Sequence, residues 1–157
     1  MILLPSGLTS VTLQESSGEK VNSVPSFAFF PGPAIASQTE DEICFKRTNS
    51  TTASVSILGW GVFNGCKELA SIKVAAGNTV YDSREDCNAI IMTASNELLE
   101  GCKATVIPSS VTVIGVCAFK GTGLSQIDIP DSVTTIKGSA FENCADLTSI
   151  VIPSSVN

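Results

Sequence analysis

Histidine is missing from all 157 residues. Imidazole is the one side chain whose unperturbed pKa lies near neutrality, so Ser-His-Asp and Cys-His nucleophilic arrangements are excluded within the chain. Cys/His zinc sites go with them, because none of the six cysteines stands in a C-x-x-C pair. Charge is scarce as well: 15% of residues are ionic, against about 25% in an average domain. The balance is −6, which argues against nucleic acid and anionic membranes, whose binding needs clustered Lys and Arg. No apolar run approaches the ~20 residues of a membrane span. The opening "MILLPSGL" lacks a basic segment and Pro5 interrupts it, so no signal peptide is expected there and the chain reads as a mature or excised piece.

What is present points to strands. Hydrophobic residues reach 43%, too many for a disordered chain. Ser and Thr are abundant where exposed helices would carry Glu, Lys and Arg. The length suits one domain with a real core.

One apolar skeleton recurs. "SVTTIKGSAFENCADLTSIVIP" places Val133, Ile136, Ala140, Phe141, Cys144, Leu147, Ile150, Ile152 and Pro153 on it. "SVTVIGVCAFKGTGLSQIDIP" repeats it with Val111, Ile114, Ala118, Phe119, Leu124, Ile127, Ile129 and Pro130. "SVSILGWGVFNGCKELASIKV" gives Val55, Leu58, Phe63, Cys66, Leu69, Ile72 and Val74, and "VNSVPSFAF" is a fainter copy with Val21, Val24, Ala28 and Phe29. The valine stands eight residues before the phenylalanine in all four. Fixed-period self-similarity is the signature of a repeat architecture. "L-x-x-I-x-I-P" has the period of a strand with one buried face, and its Pro ends the strand. "S-V-T-x-I" is a second short strand, and "G-x-x-A-F-x-x-C" a tight helical or 3₁₀ turn. A single coil cannot cover its own apolar side; stacked coils merge those sides into one core. The expectation is a repeat solenoid, mostly β, of about five coils of roughly 22–34 residues.

Its parts divide as follows: residues 1–53 are divergent coils with insertions, 54–74 a regular coil, 75–107 a long island, and 108–157 regular coils, all within one domain. In the divergent part "PGPAIASQTEDE" and "KRTNSTTA" read as loops and Ile43–Phe45 as a strand. The island has no A-F turn; "NAII" and "ELLEGC" read as an antiparallel pair that leaves the wall and returns to it.

The string "L-T-S-I-V-I-P-S-S-V…I-x-G-x-A-F-x-x-C" resembles the BspA-like, Treponema-type leucine-rich repeat family. The island, "NTVYDSREDCNAIIMTASNELLEGCKATVIP", resembles the longer repeat variant of such proteins in gut and oral Bacteroidetes. The likeness is close over 54–157 and holds only in outline before that. It implies a right-handed, curved repeat domain of cell-surface or secreted bacterial proteins that adheres to host or bacterial proteins. It supplies no catalytic residue and no cofactor.

Candidate sites follow from the skeleton. With Ile72, Ile127 and Ile150 turned inward, the outward columns hold Ser71 and Lys73, Ala104 and Val106, Gln126 and Asp128, Ser149 and Val151. Repeat domains commonly bind through such a surface; plain solvent exposure is the alternative for any one residue. Trp60, between two glycines, reads either as core packed at an altered angle or as an exposed anchor, Trp being favoured in binding hot spots. Cys66, Cys117 and Cys144 read as small buried fillers, with the rungs of Cys66 and Cys144 about three apart (~15 Å), too far for a disulfide. Cys87 and Cys102, on the two island arms, could meet in one. The acidic run Asp82, Glu85, Asp86 and Asn88 lacks the alternating ligands and glycine of a calcium loop, since Arg84 takes the third position. Glu40, Asp41 and Glu42 read as a loop exterior, and the sequon at Asn49 as unused. The expected function is non-enzymatic protein binding. Spacer coils of a longer stalk are the alternative, and a carbohydrate-binding or hydrolytic centre at 82–88, with a carboxylate of raised pKa, is a third reading.

Overall fold

The computed structural model describes residues 10–13, 37–39, 42–44, 58–74 and 78–157. The copy at Val21–Phe29, Val55 and the sequon at Asn49 lie outside them. Among the described residues nine short strands form two sheets. The first holds β1 (Ser10–Leu13), β2 (Ser37–Thr39), β3 (Glu42–Cys44) and β4 (Ser71–Val74); the second holds β5 (Tyr81–Asp82), β6 (Ala89–Met92), β7 (Glu97–Gly101), β8 (Val113–Ile114) and β9 (Thr135–Ile136).

The regular repeats stack as their periodicity requires. β7, β8 and β9 pair in parallel, Leu98 beside Ile114 and Ile114 beside Ile136. The backbone N–H groups of Thr112, Thr134 and Asn157 donate to the carbonyls of Asn96, Thr112 and Thr134, so each rung is tied to the one before. After each "I-P" the N–H of Val111, Val133 or Val156 closes a turn onto Pro108, Pro130 or Pro153. The hydroxyls of Ser132 and Ser155 then reach back one repeat to the carbonyls of Val111 and Val133, at 2.8 Å each.

The A-F segment is a hydrogen-bonded turn in the three described copies, not a helix. Its i→i+3 bonds resemble a 3₁₀ helix: Asn64 to Gly61, Lys120 to Cys117, Glu142 to Ser139. Two residues per turn, however, adopt positive φ. Two before the phenylalanine stand Gly61 (63°), Cys117 (59°) and Ser139 (58°); two after it stand Gly65 (80°), Gly121 (68°) and Asn143 (60°). Left-handed residues break the helical path and swing the chain back toward the core. Phe63 and Phe119 are buried there, and Phe119 stacks on the partly buried Phe141 with centroids 5.2 Å apart. Cys117 is therefore a half-buried backbone corner and Cys144 is half-buried, while Cys66 is buried as expected.

The island is a hairpin of β6 and β7, as expected, but it does not leave the wall. β6 divides the core: Ile90 joins a cluster with Phe63, Leu69, Ile72 and Tyr81, and Ala89 and Ile91 join one with Phe119, Ile114 and Val133. β7 is itself the rung beneath β8. The register shift at Ile90/Ile91 lets two consecutive isoleucines be fully buried on a strand covered on both sides. The hairpin contributes no A-F turn, so the turn at 61–67 abuts the next one directly. Gly65 N–H donates to the Lys120 carbonyl, and a Cβ on Gly121 would stand 2.9 Å from the Gly65 nitrogen. In the turn stack Cys66 and Cys144 therefore stand two repeats apart, not three.

The start of the chain departs further. β1 pairs in parallel with both β3 and β4, so the spatial order β2-β3-β1-β4 is not chain order. β3 covers most of the strand expected at 43–45, whereas β2 forms inside the segment expected to be a loop.

Candidate functional site

Outward positions are set by the period-2 alternation. In β4, Ile72 is buried, Lys73 exposed and Ser71 half-buried. Gln126 and Asp128 are exposed while Ile127 and Ile129 pack on the second core cluster. Val106 is 71% exposed and Val151 80%, with Ser149 exposed beside it. Ile152, expected inward, is half-exposed, because no described segment lies over it. Trp60 is 64% exposed, which removes the core reading and leaves that of a surface aromatic. The β4 stretch of this face carries a strand ladder; 124–130 and 147–153 carry none. Strand pairing has moved to the V-T-x-I column, where the parallel rungs lie.

The acidic island is held by its own charges. Arg84 forks onto Asp82, with Nε to Oδ1 at 2.7 Å and Nη2 to Oδ2 at 2.6 Å, and Thr93 Oγ1 donates to Oδ2. Arg84 Nη1 also donates to Asn96 at 2.8 Å and Ser110 at 3.3 Å, tying the hairpin loop to the next repeat. Partial burial works to raise the Asp82 carboxyl, but these donors outweigh it and hold it below its ordinary value. A hydrolytic carboxylate of raised pKa is thus not what Asp82 provides. Glu85, Asp86 and Asn88 turn through positive φ beside it. Among the described residues no group of three or more Cys, Asp or Glu side chains is placed to hold a metal ion.

Cys66, Cys87, Cys102, Cys117 and Cys144 are free thiols. Cys87 faces the second core cluster and Cys102 the first, on opposite sides of β6, so the two island arms do not join in a disulfide.

Glu100 escaped the sequence reading altogether. It is 1% exposed, and its Oε1 accepts the Val62 N–H at 2.9 Å, with the neighbouring amides of Phe63 and Gly61 also turned to the carboxyl. Burial pushes its pKa up to about 8 against that donor set. The Cys66 thiol, buried nearby, rises to about 11 through burial and then the Glu100 charge. Glu100 and Gly101 fill the place of the missing A-F pair. Gly101 N–H donates to the Ala118 carbonyl as Phe119 N–H donates to Ala140, and any Cβ on Gly101 would collide with the Phe119 ring. The glutamate clasps the turn at 61–63 to β7 and belongs to the scaffold.

Parallel rungs, repeated turns and almost no helix define the class: a leucine-rich-type repeat fold made mostly of strands. Residues 93–157 match the family model of the BspA type leucine rich repeat region, in 6 copies. No curated protein matches the chain. The pneumococcal vaccine antigen PcpA is similar in structure, at 19% identity and a TM-score of 0.55 over 66% of this chain and 26% of that one. A leucine-rich repeat protein of Eubacterium ventriosum (22% identity, TM-score 0.49) aligns with 60% of this chain and 32% of its own. A leucine rich cell surface protein of Faecalibacterium prausnitzii (20%, 0.47) aligns with 95% and 48%. The chain thus spans about a quarter to a half of the length of these solved proteins. Among the described residues no helix is long and apolar enough to cross a membrane.

Proposed function

We propose that this chain is a non-enzymatic protein-recognition module of a cell-surface or secreted bacterial protein, one solenoid domain binding through its outward columns. The observation that carries the reading is the exposure of Lys73, Val106, Asp128 and Val151 at one position of successive repeats, each beside an inward aliphatic residue. Ser71, Gln126 and Ser149 supply a polar second column. Trp60 adds an aromatic anchor of the kind that dominates binding energy. The family match of residues 93–157 and the cell-surface description of the Faecalibacterium protein support the location.

The test is solid-phase binding of the folded chain to extracellular-matrix proteins and bacterial surface proteins. Lys73→Glu with Asp128→Lys should weaken the interaction by about tenfold or more, roughly 1.4 kcal/mol. Unchanged binding in that double variant would favour spacer coils whose contribution is reach.

A further inference from the structure

The exposed columns do not close side by side. Between Thr105–Ile107 and Gln126–Pro130 lies a groove of about 260 Å³. Along one wall the main chain keeps its hydrogen-bonding capacity: no backbone N–H or C=O of Ser125–Ile129 bonds another described residue. The opposite wall is anchored, since Val106 N–H donates to the Cys87 carbonyl at 3.0 Å. Ile127 and Ile129 pin the open wall to the core while Gln126 and Asp128 face solvent. An extended segment with unspent donors and acceptors is a template for a further strand.

The chain already shows what this pattern does when a neighbour is supplied. Ser71–Val74, the equivalent stretch of an earlier repeat, pairs in parallel with Ser10–Leu13 across four residues, Thr12 opposite Lys73. Asp128 occupies the Lys73 position, and among the described residues it makes no ion pair. The side wall opposite is the exposed Val106. Ile127 and Ile129, on either side of Asp128, turn to the core, so a matching strand would carry apolar residues alternating with a cation.

We infer that this groove takes an extended segment of a partner protein by strand addition: the main chain of Ser125–Ile129 supplies the pairing and Asp128 selects a cationic side chain. The inference rests on the protein-recognition reading above and narrows it to one place and one mode of binding.

The test is amide NMR of the full chain titrated with capped Val-Lys-Val-Lys-Val and with the same peptide N-methylated along its backbone. Shifts are expected at Thr105–Ile107 and Ser125–Ile129. N-methylation should cut affinity about tenfold or more, because donors are lost at constant side chains. Asp128→Lys should do the same for the lysine peptide and favour Val-Glu-Val-Glu-Val instead. Equal affinity of the N-methylated peptide, or no shift at millimolar peptide, overturns strand addition. Shifts centred on Lys73 and Trp60 overturn the groove and leave the recognition reading standing. That reading falls separately, if charge reversal leaves solid-phase binding unchanged.

Discussion

At the scale of single residues, backbone conformation and one buried acid decide more than the apolar letters do. Gly65 and Gly121 occupy the same left-handed turn position, so alanine at either should cost about 1–2 kcal/mol in backbone strain. Gly121→Ala should cost more than Gly65→Ala, because its methyl would press on the Gly65 backbone whereas that of Gly65 meets nothing within 4 Å. Chemical denaturation of the two variants checks the order. Glu100 sets a pH dependence of unusual sign for a carboxyl. Unfolded, it returns to its ordinary 4.5; folded, it titrates near 8. Between those values the folded chain holds a proton that the unfolded chain releases. Its contribution to stability is therefore full below about 4.5, falls as pH rises to about 8, and is flat beyond, the loss amounting to roughly a few kcal/mol. Urea midpoints at pH 5 and pH 8 should differ accordingly, and Glu100→Gln, which keeps an acceptor for Val62, should remove most of that difference.

At the scale of elements, the hairpin shows how a repeat tolerates an insertion. β7 keeps the rung and gives up the turn; Gly101 leaves room for the Phe119 ring where another phenylalanine would stand. Phe119→Ala should cost about 3–5 kcal/mol as a cavity in the stacked aromatic column. Gly101→Ala should cost about 1–3 kcal/mol by overpacking. Because each acts through the same contact, the pair should not add: Gly101→Ala in the Phe119→Leu background should cost much less than alone, in a double-mutant cycle of unfolding free energies. The strands of this hairpin were legible from "NAII" and "ELLEGC", and the parallel rungs from the spacing of Val111, Ile114, Val133 and Ile136. Other features were not. Cys117 and Ser139 spell nothing left-handed, since their φ is imposed by the turn around them. Glu100 reads as an exposed charge until Val62, 38 residues away, supplies its donor. One signal lies in spacing alone: Leu8, Val11 and Leu13 repeat the intervals of Leu69, Ile72 and Val74. The structure pairs Val11 with Ile72 and Leu13 with Val74 in that register. The outward columns were legible because exposure follows period-2 alternation; Trp60 was ambiguous because flanking glycines permit either orientation.

At the scale of the whole molecule, the two sides of each regular repeat are bonded unequally. On the V-T-x-I side every rung is tied to its neighbour through amides such as Thr112, Gly115, Thr134 and Lys137, which donate to Asn96, Leu98, Thr112 and Ile114. On the L-x-x-I-x-I side the amides of Ser125–Ile129 have no such acceptor among the described residues. A stack closed along one edge and open along the other is held on the open side by side-chain packing alone, through Leu124, Ile127 and Ile129. Amide exchange should report the imbalance directly. Opening a rung amide requires breaking the ladder and exposing the core around Ile114 and Val133, so Thr112, Gly115, Thr134 and Lys137 should exchange near the global unfolding rate. Amides of Ser125–Ile129 should exchange orders of magnitude faster in the free chain, since only water holds them. Slow exchange at 125–129 without a ligand would mean that these amides already have partners, and the open edge on which strand addition depends would not exist.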